Sequence, residues 1–349
     1  MNTRTRVPRL AVWAAALSTA LLIGASPAWA GPFSQLVVFG DSLSDAGNAA
    51  AVTGNAFPPS PPYAGTFSNG PTAAQYLAQR IGVPVQLGWP TTSAASNNFA
   101  VGGAGNGTNN FNVDFNSPPG LGAAFPALVQ SGIQRQIQRY GVAQGGLVPN
   151  ASSTLFMVWG GPNDIFLGAQ TGGNPAAYIS ASLAAMQNNL LSLVAMGAKH
   201  LLVPSMPNLG VTPDALASGP AFAAGVTQLS GAFNGGLDLI LDGLAASLAP
   251  LGVQIYEFDV AAQVAEITLN ASSYGFNNTT QGCLSNLSAL PSCAGYAYFD
   301  GVHPTTAAHR LLAERFAGAV GVPTPGTLSL FCLAFAALLV SRRTACRRG

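Results

Sequence analysis

Four short apolar runs, at residues 36–39, 155–159, 201–203 and 253–258, set the architecture of this chain. A strand with one wet face alternates apolar and polar residues. Runs that read as continuous instead suggest parallel strands covered on both faces. The segments between them have helical periods. Asn174-Pro175 opens one in which Ile179, Leu183, Met186, Leu190 and Val194 recur every three or four residues before Gly197 ends it. Further helices fit residues 73–81, 133–140, 221–248 and 305–320. Strand–helix alternation without an internal repeat predicts one three-layer α/β/α domain spanning residues 31–321.

Composition narrows the function. Only 7% of residues are charged and 49% are hydrophobic, which excludes a disordered chain, a coiled coil and a charge-rich nucleic-acid binder. The formal net charge of +1 conceals a division: Arg4, Arg6 and Arg9 lie at the front, Arg342, Arg343, Arg347 and Arg348 at the back. With these seven set aside, six cations face all 12 acids, so the body is acidic. Forty-one Gly and 25 Pro imply long loops, among them residues 58–62, 102–119 and 270–295.

The two ends read as targeting segments. Residues 1–30 place three Arg before an apolar run and finish on Ala28-Trp29-Ala30, the order of a secretory signal with an A-x-A cleavage site. Residues 322–349 place Val322-Pro323-Thr324-Pro325 before an apolar stretch and a basic cluster. As a helix the 15 residues 326–340 reach about 22 Å, short of the roughly 30 Å hydrocarbon core. That order resembles the PEP-CTERM sorting signal of exported bacterial proteins, with Thr324 where its glutamate stands; a simple membrane anchor is the other reading. The body is expected to be exported to the periplasm, cell surface or medium, with membrane contact through the tail. In such a compartment Cys283 and Cys293, ten apart in a Gly/Asn/Ser-rich stretch, are the disulfide candidates. Cys332 and Cys346 fall in the tail and are expected to stay unpaired. No Cys/His cluster has metal-ligand spacing, and no cofactor is expected.

In an open parallel sheet the site lies beyond the carboxyl ends of the strands. The residues there are Gly40-Asp41-Ser42-Leu43-Ser44-Asp45-Ala46-Gly47-Asn48, Asn98 to Ala104, Gly160 to Asp164 and Asp300-Gly301-Val302-His303-Pro304. A Ser hydroxyl becomes a nucleophile when a base takes its proton and a third group orients that base. Of the three His, His200 precedes a strand at the far end of the sheet and His309 lies within a helix. His303 alone has an acid three residues before it, close enough to accept the imidazole Nδ1–H. Taken singly, each group has an ordinary structural role: an N-cap for Ser42, a tight turn for Gly103, an Asx-turn for Asn163, a capping acid beside a surface His for Asp300 and His303. Together they supply a nucleophile, a base with its orienter, and N–H donors for an oxyanion.

Those four blocks, in that order, resemble the GDSL, or SGNH, family of lipases and esterases over residues 33–320. The resemblance implies a flavodoxin-like parallel sheet. It also implies a catalytic set of Ser42, Asp300 and His303, with an oxyanion hole formed by Ser42 N–H, Gly103 N–H and the Asn163 amide. Ser44 stands where a second Gly would complete G-x-S-x-G, so Ser42 is not on an α/β-hydrolase elbow. The expected activity is hydrolysis of carboxylic esters of a lipid, acylated small molecule or polysaccharide. A carbohydrate O-acetyl esterase, an acyltransferase and an inactive surface-displayed binding protein are the alternatives.

Overall fold

The computed structural model describes residues 31–323, and the fold below is that of the unit beginning at Pro32. The expected signal segment 1–30, the tail from Thr324 onward, Cys332 and Cys346 lie outside the described residues. Among the described residues no helix is long and apolar enough to cross a membrane.

All four apolar runs form strands: β1 (Gln35–Gly40), β2 (Thr154–Trp159), β3 (His200–Pro204) and β4 (Gln254–Phe258), hydrogen-bonded side by side in that order. Every pairing is parallel, with Gln35 opposite Thr154, Leu155 opposite His200 and His200 opposite Gln254. A fifth, irregular strand flanks β1 on its free side. Val38 N–H donates to Asn97 O at 2.8 Å, Phe99 N–H to Val38 O at 2.8 Å and Val101 N–H to Gly40 O at 3.1 Å. Counting residues 97–101 as the second strand gives the order 2-1-3-4-5, the flavodoxin-like arrangement. The strand order reverses beside β1, so the crevice expected at such a switch point opens at the carboxyl ends of β1 and β2.

Among the described residues the eight longer helices are α1 (Asn48–Thr53), α2 (Ala73–Ile81), α3 (Ile133–Ala143), α4 (Pro162–Gln170), α5 (Pro175–Ala195), α6 (Pro220–Leu248), α7 (Val260–Leu269) and α8 (Thr306–Ala319). The period-2 geometry of the strands sorts them into two layers. Val37, Phe39, Phe156, Val158, Leu201 and Val203 point to one face and pack on α3, α5 and α6. Leu36, Val38, Leu155, Met157 and Leu202 point to the other and pack on α2, α7 and α8. This is the three-layer sandwich the pattern predicted.

Three details differ from expectation. In α5 the fully buried residue of the last turn is Leu193 rather than Val194, because Leu193 continues the stripe of Met186 and Leu190 toward the sheet. Strand β4 is only half buried, as an edge strand is; its Gln254 and Glu257 face solvent. The stretch 270–295, read as a loop, contains β5 (Asn278–Gly282), which pairs in parallel with β6 (Tyr296–Tyr298). The polar Asn278-Thr279-Thr280-Gln281 carries no apolar periodicity to mark it.

Candidate active site

The turn after β1 owes its shape to three local contacts. At Gly40 a Cβ would lie 2.7 Å from the Trp159 carbonyl oxygen, so only glycine lets β1 end this close to β2. Gln136 of α3, wholly buried, accepts the Gly40 N–H at 2.9 Å and donates to its carbonyl at 2.8 Å, fixing the strand end like a further ladder rung. Asp41 then closes the turn: its Oδ1 accepts the Leu43 N–H at 3.0 Å and its main-chain carbonyl accepts the N–H of Ser44 and Asp45. Ser42 projects from the tip.

The Ser42 hydroxyl lies 2.8 Å from His303 Nε2, and His303 Nδ1 lies 2.7 Å from Asp300 Oδ2. Asp300 Oδ1 accepts the N–H groups of Val302 and His303 at 2.8 and 2.6 Å, so the D-x-x-H spacing is a self-closed turn. With Nδ1–H donating to the carboxylate, Nε2 is left as acceptor for the serine proton. Burial opposes ionisation of Asp300, but the imidazole beside it and the two backbone N–H groups outweigh that and bring its carboxyl down to about 2. Burial likewise opposes a charged His303, yet the charge and hydrogen bond of Asp300, with Asp41 and Asp214 behind, raise it above the ordinary histidine range.

Gly103 sits at φ +85°, where a side chain is strained, and a Cβ there would come within 2.2 Å of Asn112 Nδ2 and 2.5 Å of Asn110 Oδ1. Among the described residues, the N–H groups of Ser42 and Gly103 donate to no protein acceptor. Asn163 lies in the first turn of α4, directly after Pro162 at the helix start. Its Nδ2 donates to Ala104 O at 3.0 Å, which holds the amide plane, and faces Asp41 Oδ2 at 3.3 Å. Ser42, Gly103, Asn163 and His303 all line one cavity of about 260 Å³. The remaining wall is mostly apolar, including Phe57, Phe67, Phe111, Phe166, Leu209 and Val302. The structure thus brings the five residues singled out from sequence, Ser42, Gly103, Asn163, Asp300 and His303, into one place.

Sequence reading missed the residues that hold them there. Asp45 accepts the N–H groups of Gly47, Asn48 and Ala49 and, at 2.9 Å, of Gly102. Asn48 donates to Asn98 and Ala100 and accepts the Trp89 N–H, tying the nucleophile loop to the Gly103 loop. Asp45 and Asn48 lie in the first block as quoted; their depth in the fold was the missing information. Tyr63, from the Pro-rich loop, donates its hydroxyl to Asp300 Oδ2 at 2.8 Å across 237 residues of sequence, a contact with no local signal. The sulfur atoms of Cys283 and Cys293 are bonded, closing the loop before β6. Among the described residues no group of three or more His, Cys, Asp or Glu has the arrangement of a metal site.

A hydroxyl, an imidazole and a carboxylate in hydrogen-bonded series, facing free N–H donors at the switch point of a parallel sheet, have the parts that serine acyl transfer requires. The chain belongs to the GDSL-like lipase/acylhydrolase family, whose model matches residues 36–316. It is 30% identical over 332 residues to a Pseudomonas putida protein described only as uncharacterized, from a trpE-trpG intergenic region, covering 88% of this chain and 52% of that one. It is 30% identical over 348 residues to the esterase EstA of Pseudomonas aeruginosa, covering 90% of this chain and 51% of the esterase. The chain therefore spans about half the length of these two relatives. A phosphatidylcholine-sterol acyltransferase of Aeromonas hydrophila is 25% identical over 333 residues, covering 81% of this chain and 88% of that enzyme.

Proposed function

We propose that the protein is an exported serine esterase that hydrolyses carboxylic esters through an acyl-enzyme on Ser42. The observation that carries this reading is the 2.8 Å contact of Ser42 Oγ with His303 Nε2, in a cavity also lined by Gly103 and Asn163. As Ser42 Oγ bonds to the ester carbonyl carbon, its proton passes to His303 Nε2. The negative oxygen lies against the N–H groups of Ser42 and Gly103 and the Asn163 amide, which exchanges its long contact with Asp41 for the oxyanion. The tetrahedral centre then expels the alkoxide, which takes the proton from His303. Water, deprotonated in turn by His303, attacks the acyl-enzyme; collapse releases the acid and returns the proton to Ser42. The largely apolar cavity wall favours an apolar acyl group over the acetyl groups of a polysaccharide.

Ser42→Ala is expected to abolish turnover of p-nitrophenyl butyrate while the fold persists, and retained turnover would refute the assignment. A second reading, acyl transfer to an alcohol in place of water, is favoured by the likeness to the Aeromonas acyltransferase. The chemistry up to the acyl-enzyme is shared. Partitioning of product between acid and new ester as an acceptor alcohol is added separates the two. Export is supported by the order of residues 1–30 and by the disulfide, and mass measurement of the processed N-terminus tests it.

A further inference from the structure

Asp300 Oδ1 is satisfied by two backbone N–H groups of its own turn, whereas Oδ2 receives both the His303 Nδ1–H and the Tyr63 hydroxyl. Tyr63 is held for this contact. Its ring packs edge-on against the buried Phe299 with centroids 5.0 Å apart, and its carbonyl accepts the Ser60 hydroxyl at 2.6 Å. Burial, and then the negative Asp300 beside it, push its ionisation far above the ordinary phenol range, so the hydroxyl is a permanent donor. The same loop supplies Phe57, Pro58, Pro59 and Tyr63 to the cavity wall.

We propose that Tyr63 is a positioning residue for the reaction, fixing the Asp300 carboxylate against His303 and joining the substrate-cavity wall to the charged pair. The inference rests on the esterase reading. The two backbone N–H groups on Oδ1 hold the turn, but an Oδ2 bonded only to the imidazole would direct all of its charge at the ring. A second donor 2.8 Å from the same oxygen occupies its other lone pair, fixes the remaining one toward Nδ1 and draws charge away from the histidine. Tyr63 therefore acts through Asp300, with no contact to the reacting atoms. The other titratable groups facing His303 are Asp41 from the nucleophile loop, Asp214 from the helix Pro213–Ala217 and the buried His309 of α8. None of these donates a hydrogen bond to Asp300.

Tyr63→Phe tests this, because it keeps the ring against Phe299 and removes only the hydroxyl. The expected result with p-nitrophenyl butyrate is a kcat lower by about tenfold with KM changed by less than about twofold. The acid limb of the kcat/KM–pH profile should move to higher pH, since the unshared carboxylate charge favours the imidazolium. The His303 Nδ1–H proton resonance should move downfield in the resting protein. A wild-type kcat, or a lowered kcat with an unmoved acid limb and resonance, would overturn the proposal, the latter because it signals only a loosened wall. Fluorophosphonate labelling separates the two levels of inference. A wild-type protein whose Ser42 is not labelled has lost the esterase reading itself. Labelling of wild type with an indistinguishable Tyr63→Phe variant sinks the role of Tyr63 alone.

Discussion

Asp45 Oδ2 accepts the Gly102 N–H at 2.9 Å, so a carboxylate three residues past the serine anchors the loop that presents Gly103. Oδ1 accepts the N–H groups of Gly47 and Asn48, Oδ2 also that of Ala49, and the residue is fully buried. One side chain thus sets the distance between Ser42 and the Gly103 N–H, the nucleophile and an oxyanion donor of the proposed mechanism. Asp45→Asn leaves a single acceptor oxygen for four backbone donors, three of them in fully buried bonds. Stability should fall by about 2 kcal/mol, the scale for stranding a buried donor. Turnover should fall about tenfold while KM holds, since the displaced Gly103 N–H is used only in the transition state. Urea unfolding and p-nitrophenyl butyrate kinetics check both; a variant with wild-type turnover would detach Asp45 from the oxyanion hole.

Gly103→Ala isolates the oxyanion loop from the other side. A methyl group at φ +85°, 2.2 Å from Asn112 Nδ2, must push the loop or Asn112 out of place. The expected loss is about 10²-fold in kcat or more, the scale for one oxyanion donor, with far-ultraviolet circular dichroism unchanged. Asn163→Ala should cost a similar factor, and an effect on KM alone in either variant would place these groups in ground-state binding instead.

The fold was legible where local pattern and tertiary packing agree. Residues 36–39 and 155–159 are apolar on both faces because helices cover both, and the period of Ile179, Leu183, Met186 and Leu190 reports the sheet they pack on. It was illegible where pairing rests on backbone alone. Residues 97–101 form a strand through three hydrogen bonds with Asn-Asn at its start, and β5 is polar throughout. The site divides in the same way. Ser42, Asp300 and His303 show themselves by chemistry and order, as do Gly103 and Asn163 within their blocks. Gln136, Asp45 and Tyr63 are ordinary residue types whose work depends on which distant segment the fold brings to them.

The two partners of the charged pair predict opposite pH behaviour. His303 is raised, so its contribution to stability is complete below the ordinary value of about 6.5 and is lost as pH rises through the folded value. Asp300 is brought down from 3.8 to about 2, so its contribution is complete above 3.8 and is lost as pH falls toward 2. Partly shielded as it is, that shift corresponds to about 2 kcal/mol. Activity needs neutral His303, so the acid limb of kcat/KM should lie above pH 6.5. Asp300→Asn should move that limb down, lower kcat by about 10³–10⁴ and flatten the stability loss between pH 4 and 2. Thermal unfolding across that window, with the pH–rate profile, decides it; an acid limb below 6.5 in the wild type would contradict the geometry.

The Cys283–Cys293 bond is predicted to act on catalysis as well as stability. Both cysteines are buried against Phe299, whose carbonyl accepts the Leu284 N–H at 2.9 Å and whose N–H donates to the His303 carbonyl at 2.7 Å. The covalent loop therefore braces the backbone on which Asp300 and His303 stand, as well as the ring that supports Tyr63. Closing a loop of this size restricts the unfolded chain by about 3 kcal/mol in the chain-entropy account. Cys283→Ala with Cys293→Ala should lower stability by about that amount and reduce kcat several-fold, leaving Ser42 labelled by fluorophosphonate at a reduced rate. In the wild type the buried sulfurs should resist dithiothreitol until the chain is unfolded, so iodoacetamide should add to them only with reductant and denaturant together. Unchanged kcat in the double variant would show that the loop stabilises the chain without bracing the site.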